Sequence, residues 1–242
     1  MDNKKLEQTL VLIKPDALKN SLTGYVLSQL SQFHTGLRFA GTKIVSVSNI
    51  LAEEHYAEHR GKIFFPALIE YITGQLHYAD EPWKRRVVAM VYHGPGAIRK
   101  IRDIAGPTNP HIAREQSPGC IRALGTVVPL KDDAGNEIGE RMDNLIHASA
   151  TSSEAEREIK LWFKPSDIPP LMHDYPVEVS KDHYYSKNGK IYMEYEPDSI
   201  CLIAPSDVAW QSDLKTLRLL YQGSPAPCSL ESVVAKYLIN VK

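Results

Sequence analysis

The strongest chemical signal in this sequence is a histidine that ends a short apolar strand and is followed by a helix carrying a glutamate. The strand spans residues 144–147 and ends on His147, while Glu158 lies in the helix of residues 153–163. Three apolar residues at helical spacing form the buried stripe of that helix: Ala155, Ile159 and Trp162. Glu158 points toward the same face, where a carboxylate is costly unless it has a partner. We therefore predict that Glu158 holds one ring nitrogen of His147 and leaves the other free as a nucleophile or base; a surface histidine and a solvated glutamate are the alternative.

Basic residues near predicted strand ends, helix edges and loops are candidates for holding an anion. They are Lys14, Arg102 and Arg122. Each alone is typical of a solvated charge, but together with His147 they indicate a phosphate site, because arginine offers paired donors and lysine a point charge. The sequence has no Walker A motif, and Gly94-Pro-Gly96 lacks the third glycine of a dinucleotide-binding loop. Side chains must therefore hold any phosphate.

Two other motifs have competing interpretations. His55-Tyr-Ala-Glu58-His59 matches H-x-x-E-H, which on a helix places two histidines on one face for zinc. The motif is short and arises easily by chance, and spacing identifies no third ligand. Phe64-Phe65 between two predicted helices is either plain core or an aromatic face on which a base can stack.

Composition describes an ordinary globular chain of 242 residues, with 43% apolar and 24% charged residues. The net charge of −1 gives no support for bulk electrostatic binding to nucleic acid or membrane. No apolar segment approaches the roughly 18 residues needed to span a bilayer, and no secretory signal is visible. The three cysteines are widely spaced, which is typical of a reducing compartment, so we predict a cytoplasmic location without a thiolate metal site.

Strands alternate with helices through most of the chain, which favours an α/β or α+β fold with a single sheet. The predicted strands are residues 9–13, 37–47, 87–92 and 144–147. The predicted helices are residues 22–33, 52–59, 66–72, 95–104 and 153–163. Residues 108–122 are predicted to form a loop, and Ser153 and Glu156 have capping-box spacing.

The segment after residue 164 differs in character and opens with several prolines. Asn188-Gly189 between two aromatic-rich runs predicts a hairpin. A third strand is expected at residues 199–204, and amphipathic helices at 207–220 and 230–238. We predict a domain over residues 1–164 and an extension over 165–242.

Taken together, the segments from residue 7 to residue 164 resemble the nucleoside diphosphate kinase family. The matching pieces follow in order at residues 9–17, 55–66, 71–73, 87–91, 106–110, 118–122 and 144–163. So many short matches in register are far more specific than any single motif. The resemblance implies a ferredoxin-like α+β fold, βαββαβ, with a four-stranded antiparallel sheet.

The resemblance also implies a ping-pong reaction through a phosphohistidine. Nδ1 of His147 would attack the γ-phosphate of a nucleoside triphosphate and pass the phosphoryl group to a nucleoside diphosphate. Glu158 would hold Nε2 of His147, Ser149 would support that contact, and Tyr56 would lie against the histidine. Similarity further implies nucleotide contacts for the following residues: Lys14, Phe64, Arg102, Thr108, Arg122 and Asn144. In that set Phe64 stacks on the base, Lys14 and Asn144 reach the ribose, and discrimination among bases is weak. Mg²⁺ would be carried by the substrate phosphates and by waters rather than by a protein cage.

Three departures separate the chain from the family pattern. Ala148-Ser149-Ala150 stands where the family has Gly-Ser-Asp, and we expect activity to survive. Second, Ala123-Leu-Gly125 stands where the family has Gly-Asp-Phe, and residues 125–143, with a predicted hairpin tip at 131–136, are longer than usual and are expected to neighbour the site. Third, residues 75–86 are an insertion and residues 165–242 are an added segment. We predict self-association as a dimer built on the second strand, or as a hexamer. A catalytically inactive nucleotide-binding or scaffold module of the same fold is the alternative function.

Overall fold

The computed structural model describes residues 6–132 and 134–239. Its strands are β1 (Leu6–Ile13), β2 (Arg38–Val45), β3 (Val87–Pro95), β4 (Thr126–Lys131), β5 (Glu137–Asp143), β6 (Ile146–Ala148), β7 (Val177–Val179), β8 (Tyr184–Lys187), β9 (Lys190–Tyr192), β10 (Ile200–Ile203) and β11 (Val208–Trp210). Its α-helices are α1 (Pro15–Lys19), α2 (Thr23–Gln29), α3 (Gln32–Thr35), α4 (Asn49–His55), α5 (Phe65–Ile72), α6 (Ala97–Ala105), α7 (Pro110–Gln116), α8 (Ser152–Trp162), α9 (Gln211–Tyr221) and α10 (Leu230–Val234). None of the helices in these two ranges combines the length and the apolar character of a membrane span.

A four-stranded antiparallel sheet in the order β2-β3-β1-β6 forms the centre of the fold. The predicted ferredoxin-like α+β fold is confirmed. Side chains of the central strand β1 alternate between two cores, as the two-residue period of a strand requires. Leu10 and Leu12 pack with α4, α8 and Trp210 on one face, whereas Val11 and Ile13 pack with α1, α2 and α6 on the other. Helices therefore cover both faces of the sheet.

Several predicted boundaries were wrong. Residues 108–122, predicted as a loop, contain α7 and a 3₁₀ turn at Ile121–Leu124. The single helix predicted at 22–33 is broken into α2 and α3. The predicted capping box lies two residues too late, because Thr151 caps α8 by accepting from the Glu154 N–H at 3.2 Å. The helix predicted from residue 95 begins at Ala97, since Pro95 is the last residue of β3.

The segment after residue 164 forms small sheets and two helices around its own apolar cluster. The hairpin predicted at Asn188-Gly189 connects β8 to β9, with positive φ at both residues, as a mirror-image turn requires. The helix predicted from residue 207 begins four residues later, because Val208–Trp210 pairs with β7 as strand β11. Trp210 is fully buried and belongs to the main core, so this segment packs tightly on the sheet domain.

Candidate active site

Strand β6 places His147 beside the central strand, directly opposite Leu12 of β1. The residue that enters this strand, Leu145, has φ of +70°, a conformation that costs a non-glycine residue about 1–3 kcal/mol. Both of its backbone groups are bonded: its N–H donates to Asp16 Oδ2 at 2.9 Å, and its carbonyl accepts from the Lys14 N–H at 2.9 Å. These bonds hold the turn that positions Asn144 and His147.

Glu158 lies behind His147, as the helix periodicity predicted. Its Oε2 is 2.9 Å from His147 Nε2 and accepts a hydrogen bond from Ser149 Oγ at 2.6 Å. The Glu158 side chain is only 4% exposed. Burial alone would raise the pKa of Glu158, but His147 and the hydrogen bonds from His147 and Ser149 lower it to about 2. The carboxylate is therefore ionised and fixes Nε2 as the hydrogen-bond partner, while Nδ1 makes no hydrogen bond within residues 6–132 and 134–239.

His55 at the end of α4 supplies the ring that touches His147. The two ring centroids are 4.5 Å apart at 79°, and Tyr56 packs against His55 at 4.6 Å. Trp162 Nε1–H donates to His55 Nδ1 at 3.2 Å, so the neutral ring carries its proton on Nε2. Burial, followed by the field of His147, lowers the pKa of His55 well below its usual value. His55 is thus a neutral ring that packs edge-on against His147.

The H-x-x-E-H zinc hypothesis is not supported by this arrangement. His59 Nδ1 lies 3.0 Å from Lys62 Nζ and its Nε2 lies 3.5 Å from Glu58 Oε1, but neither His59 nor Glu58 groups with His55 as a potential metal ligand in the described residues. The group of potential metal ligands found in the described part of the chain is instead His55, His147 and Glu158. A metal on His55 Nε2 would displace the proton that the Trp162 hydrogen bond keeps there. The motif therefore does not gather its ligands at one point.

Two arginines bring positive charge to the same place. Arg122 donates from Nη1 to the Gly106 carbonyl at 2.9 Å and from Nη2 to the Ile146 carbonyl at 3.2 Å. Burial, with a smaller contribution from the neighbouring Arg102, lowers the pKa of Arg122 to about 10, so it stays charged at neutral pH. Arg102 donates to the Ala148 carbonyl at 3.4 Å. Both guanidinium groups keep donors for an anion.

Lys14, Asn144 and Thr108 form a second polar group. Lys14 Nζ donates to Asn144 Oδ1 at 2.7 Å, and Asn144 Nδ2 donates to the Thr108 carbonyl at 2.8 Å. Burial lowers the pKa of Lys14 to about 8, against the opposing attraction of Asp16. Its ammonium is therefore charged at neutral pH but poorly solvated, and it gains from a bound anion.

One cavity of about 380 Å³ collects these side chains, a size suited to a small-molecule ligand. Every site residue predicted from the sequence lines it except Ser149, which lies behind Glu158. Phe64 and Tyr56 are in its wall, whereas Phe65 packs on the core. The cavity therefore joins the His147 ring, a cluster of cations and an aromatic face.

Residues 7–168 match the nucleoside diphosphate kinase family. The chain is 36% identical to the nucleoside diphosphate kinase of Thermococcus kodakarensis, over 84% of this chain and 99% of the relative. It is 42% identical to that of Pyrococcus furiosus, over 68% and 87% respectively. The chain belongs to the nucleoside diphosphate kinase family. It is an enzyme that transfers phosphate between nucleotides, and the alternative of an inactive scaffold module is not favoured.

A solved nucleoside diphosphate kinase from Borrelia burgdorferi shares the fold, with a TM-score of 0.53 and 28% identity over 70% of this chain and 94% of that one. That structure is a transition-state mimic with bound vanadate and ADP. The enzyme described here presents the same fold with its cations, aromatic face and His147 gathered in one cavity.

Several residues of this kinase site were missed at the sequence level. Asp16 fixes the Leu145 turn, and it is buried at the first turn of α1, directly after a strand. His55 was noticed as a possible zinc ligand and as part of a matching segment, but not as a residue that contacts His147. The hairpin β4–β5 adds further residues to the cavity wall: Leu130, Glu140, Arg141 and Met142. The family resemblance placed this longer segment beside the site, but no local pattern indicated which of its side chains line the cavity.

Proposed function

We propose that His147 is the phosphate-accepting nucleophile of this nucleoside diphosphate kinase. Nδ1 attacks the γ-phosphorus of a nucleoside triphosphate, so that a nitrogen–phosphorus bond forms while the bond to the β,γ-bridging oxygen breaks. The nucleoside diphosphate leaves with that electron pair. A second diphosphate then attacks the phosphohistidine and restores the free ring. The observation that carries this proposal is the His147–Glu158 pair, which leaves Nδ1 without a hydrogen-bond partner among the described residues, in a cavity lined by cations.

The other side chains receive roles from their positions. Arg102 and Arg122 meet the charge on the phosphoryl oxygens, and such preorganised donors supply most of the stabilisation in phosphoryl transfer. Lys14 and Asn144, joined to Thr108, bind the phosphate and ribose between them. Phe64 stacks on the base, and Tyr56 forms the wall beside the reacting histidine. Glu158 and Ser149 position the imidazole without contacting the substrate.

Mg²⁺ would enter this site bound to the phosphates of the nucleotide rather than to protein side chains. Of the carboxylates that line the cavity, only Glu158 belongs to a group of potential metal ligands in the described part of the chain, and its partners there are the nitrogen ligands His55 and His147. Mg²⁺ prefers oxygen ligands and keeps several waters, so phosphate oxygens are its natural partners here. The ion would neutralise charge on those oxygens when bound.

We further propose a cytoplasmic enzyme that self-associates through β2. Cys120, Cys201 and Cys228 are free thiols, which suits a reducing compartment. Strand β2 lies at the edge of the sheet and exposes 44% of Phe39. Residues 1–164 would form the kinase domain and 165–242 an extension with its own small cluster. Light scattering distinguishes a dimer or hexamer from a monomer, and a monomer would contradict the β2 proposal.

The reaction is tested by incubating the protein with γ-labelled ATP. We expect an acid-labile phosphoenzyme that loses its label to added diphosphates. His147→Ala abolishes labelling, while His183→Ala, which changes an exposed histidine of the extension, leaves it intact. Wild-type protein that takes up no label, or a His147→Ala variant that still does, would overturn the proposal.

A further inference from the structure

Two segments that interrupt the family pattern meet beside the cavity. The segment of residues 75–86 supplies His77, whose Nε2 lies 2.9 Å from Asp143 Oδ2 at the end of β5. Tyr71 of α5 packs on His77 with ring centroids 5.3 Å apart. The side chains of His77 and Asp143 are each only 13% exposed. The contact therefore ties the first insertion to the hairpin formed by the second.

Asp143 in turn holds Arg141 of the same strand. Arg141 Nε and Nη2 donate to Asp143 Oδ1 and Oδ2 at 2.7 and 3.2 Å, a two-point contact that fixes the plane of the guanidinium. Burial opposes ionisation of Asp143, but hydrogen bonds from His77 and Arg141 lower its pKa. Nη1 of Arg141 makes no hydrogen bond to any residue in the described ranges. A charged donor of fixed orientation therefore remains available.

The hairpin places Arg141 in the wall of the proposed nucleotide cavity. Arg141 lines the cavity together with Leu130 and Met142, and α5 and its N-cap contribute Phe64 and Leu68. The proposed nucleotide, with its terminal phosphate at His147 and its base on Phe64, therefore lies in a cavity that Arg141 also lines. Because a guanidinium offers donors only, it favours ligand atoms that accept hydrogen bonds.

We propose that Arg141 is a specificity-determining residue that donates from Nη1 to the carbonyl oxygen at position 6 of a purine or position 4 of a pyrimidine. An amino group at that position has a hydrogen where the donor needs an acceptor. The enzyme therefore favours oxo bases over amino bases. Stacking on Phe64 is tolerant of base identity, so this selectivity comes from the hairpin. The inference rests on the proposed nucleotide site.

The test compares inosine diphosphate with ADP, which differ at purine position 6 (oxo or amino) and in the adjoining N1, which carries a hydrogen only in the oxo base. A hydrogen bond to a charged group predicts a wild-type preference for inosine diphosphate of roughly tenfold in kcat/KM. Arg141→Met reduces the ratio to about one, and Asp143→Asn, which loosens the guanidinium, gives an intermediate ratio. Arg99→Met, at a side chain that is 90% exposed on α6, is the matched control and keeps the wild-type ratio.

The inference is overturned if Arg141→Met keeps the wild-type ratio, or if it weakens both diphosphates equally. If Arg141→Met does not fold, Arg141→Lys is used instead, because it keeps the charge but loses the two-point contact with Asp143. An unchanged ratio of kcat/KM between the two diphosphates in Arg141→Lys would likewise overturn the inference. Calorimetric binding of the two diphosphates measures the ratio without turnover. A wild-type protein that takes up no phosphate contradicts the proposed function, whereas an unchanged ratio in an active variant contradicts only the role of Arg141.

Discussion

Replacing Glu158 by glutamine separates the charge of the carboxylate from its shape. In the folded protein the pKa of Glu158 falls from 4.5 to about 2. At roughly 1.4 kcal/mol per unit, this difference corresponds to a stability contribution of about 3 kcal/mol. A group with a lowered pKa stabilises the fold fully above its unfolded value and loses that contribution as pH falls toward the folded value. E158Q should therefore lower the free energy of unfolding by about 3 kcal/mol at pH 7. This difference from wild type should shrink as pH falls from 4.5 to about 2.

The same substitution also changes the proton on His147. The carboxylate only accepts, so it keeps the proton of the neutral ring on Nε2 and the lone pair on Nδ1. An amide can donate to Nε2 instead, which moves the proton to Nδ1 and removes the nucleophile. We expect phosphoenzyme formation to slow by about a hundredfold or more.

Urea unfolding at pH 7 and at pH 3, together with rapid-quench labelling, measures both effects. E156Q is the control on the same helix, because Glu156 is 46% exposed and pairs with Lys160; its change in stability should stay within about 0.5 kcal/mol. The reasoning is refuted if E158Q is as stable as wild type at pH 7, or if its cost is the same at pH 3.

Two further perturbations probe buried charges elsewhere. Because the pKa of Lys14 is lowered to about 8, its ammonium group in the free enzyme loses its proton as pH rises through 8. We therefore expect kcat/KM to decline above about pH 8. A pH profile of kcat/KM that stays flat to about pH 9.5 would contradict the role of Lys14 in binding phosphate. In the extension, Lys236 Nζ donates to the buried Asp213 Oδ2 at 2.8 Å. K236M should lower the free energy of unfolding, measured with urea, by about 3–5 kcal/mol, because the buried carboxylate loses its partner. The double variant K236M/D213L should recover most of that stability.

The contact between His147 and Glu158 was predictable because both residues lie within one strand–helix unit, where spacing decides which side chains meet. The sheet strands were predictable for the same reason, since apolar runs such as residues 9–13 must be buried. Helix α7 was missed because only Pro110 and Ala113 of it are buried, which leaves no apolar stripe to detect. Its start depends on the Asn109 side chain, which caps the first turn.

The residues that were missed at the site meet their partners across long stretches of chain. His55 bonds to Trp162 and packs on His147 from a different helix. Asp16 accepts from the Leu145 N–H across the sheet. Arg141 lines the cavity because its hairpin folds over the site. The family resemblance placed this segment near the site, but a sequence pattern does not show which of its side chains enter the cavity. Local periodicity therefore identifies the His147–Glu158 pair, and only tertiary packing identifies the residues that hold it.

The extension is built into the kinase core rather than appended to it, and its unfolding should show this. Trp210 is fully buried in the cluster that contains β1 and α8, and its Nε1–H donates to the Phe163 carbonyl at 2.7 Å. Asp167, just after the boundary expected from the sequence, bonds to Lys43 of β2 at 2.8 Å. W210A should cost about 3–5 kcal/mol, with sheet and extension unfolding in a single transition. Denaturation followed by circular dichroism and by a fluorophore on Cys228 tests this, with C201S removing the other exposed thiol. Two separated transitions would show that burial of Trp210 does not couple the sheet domain to the extension. The extension would then be an independent domain.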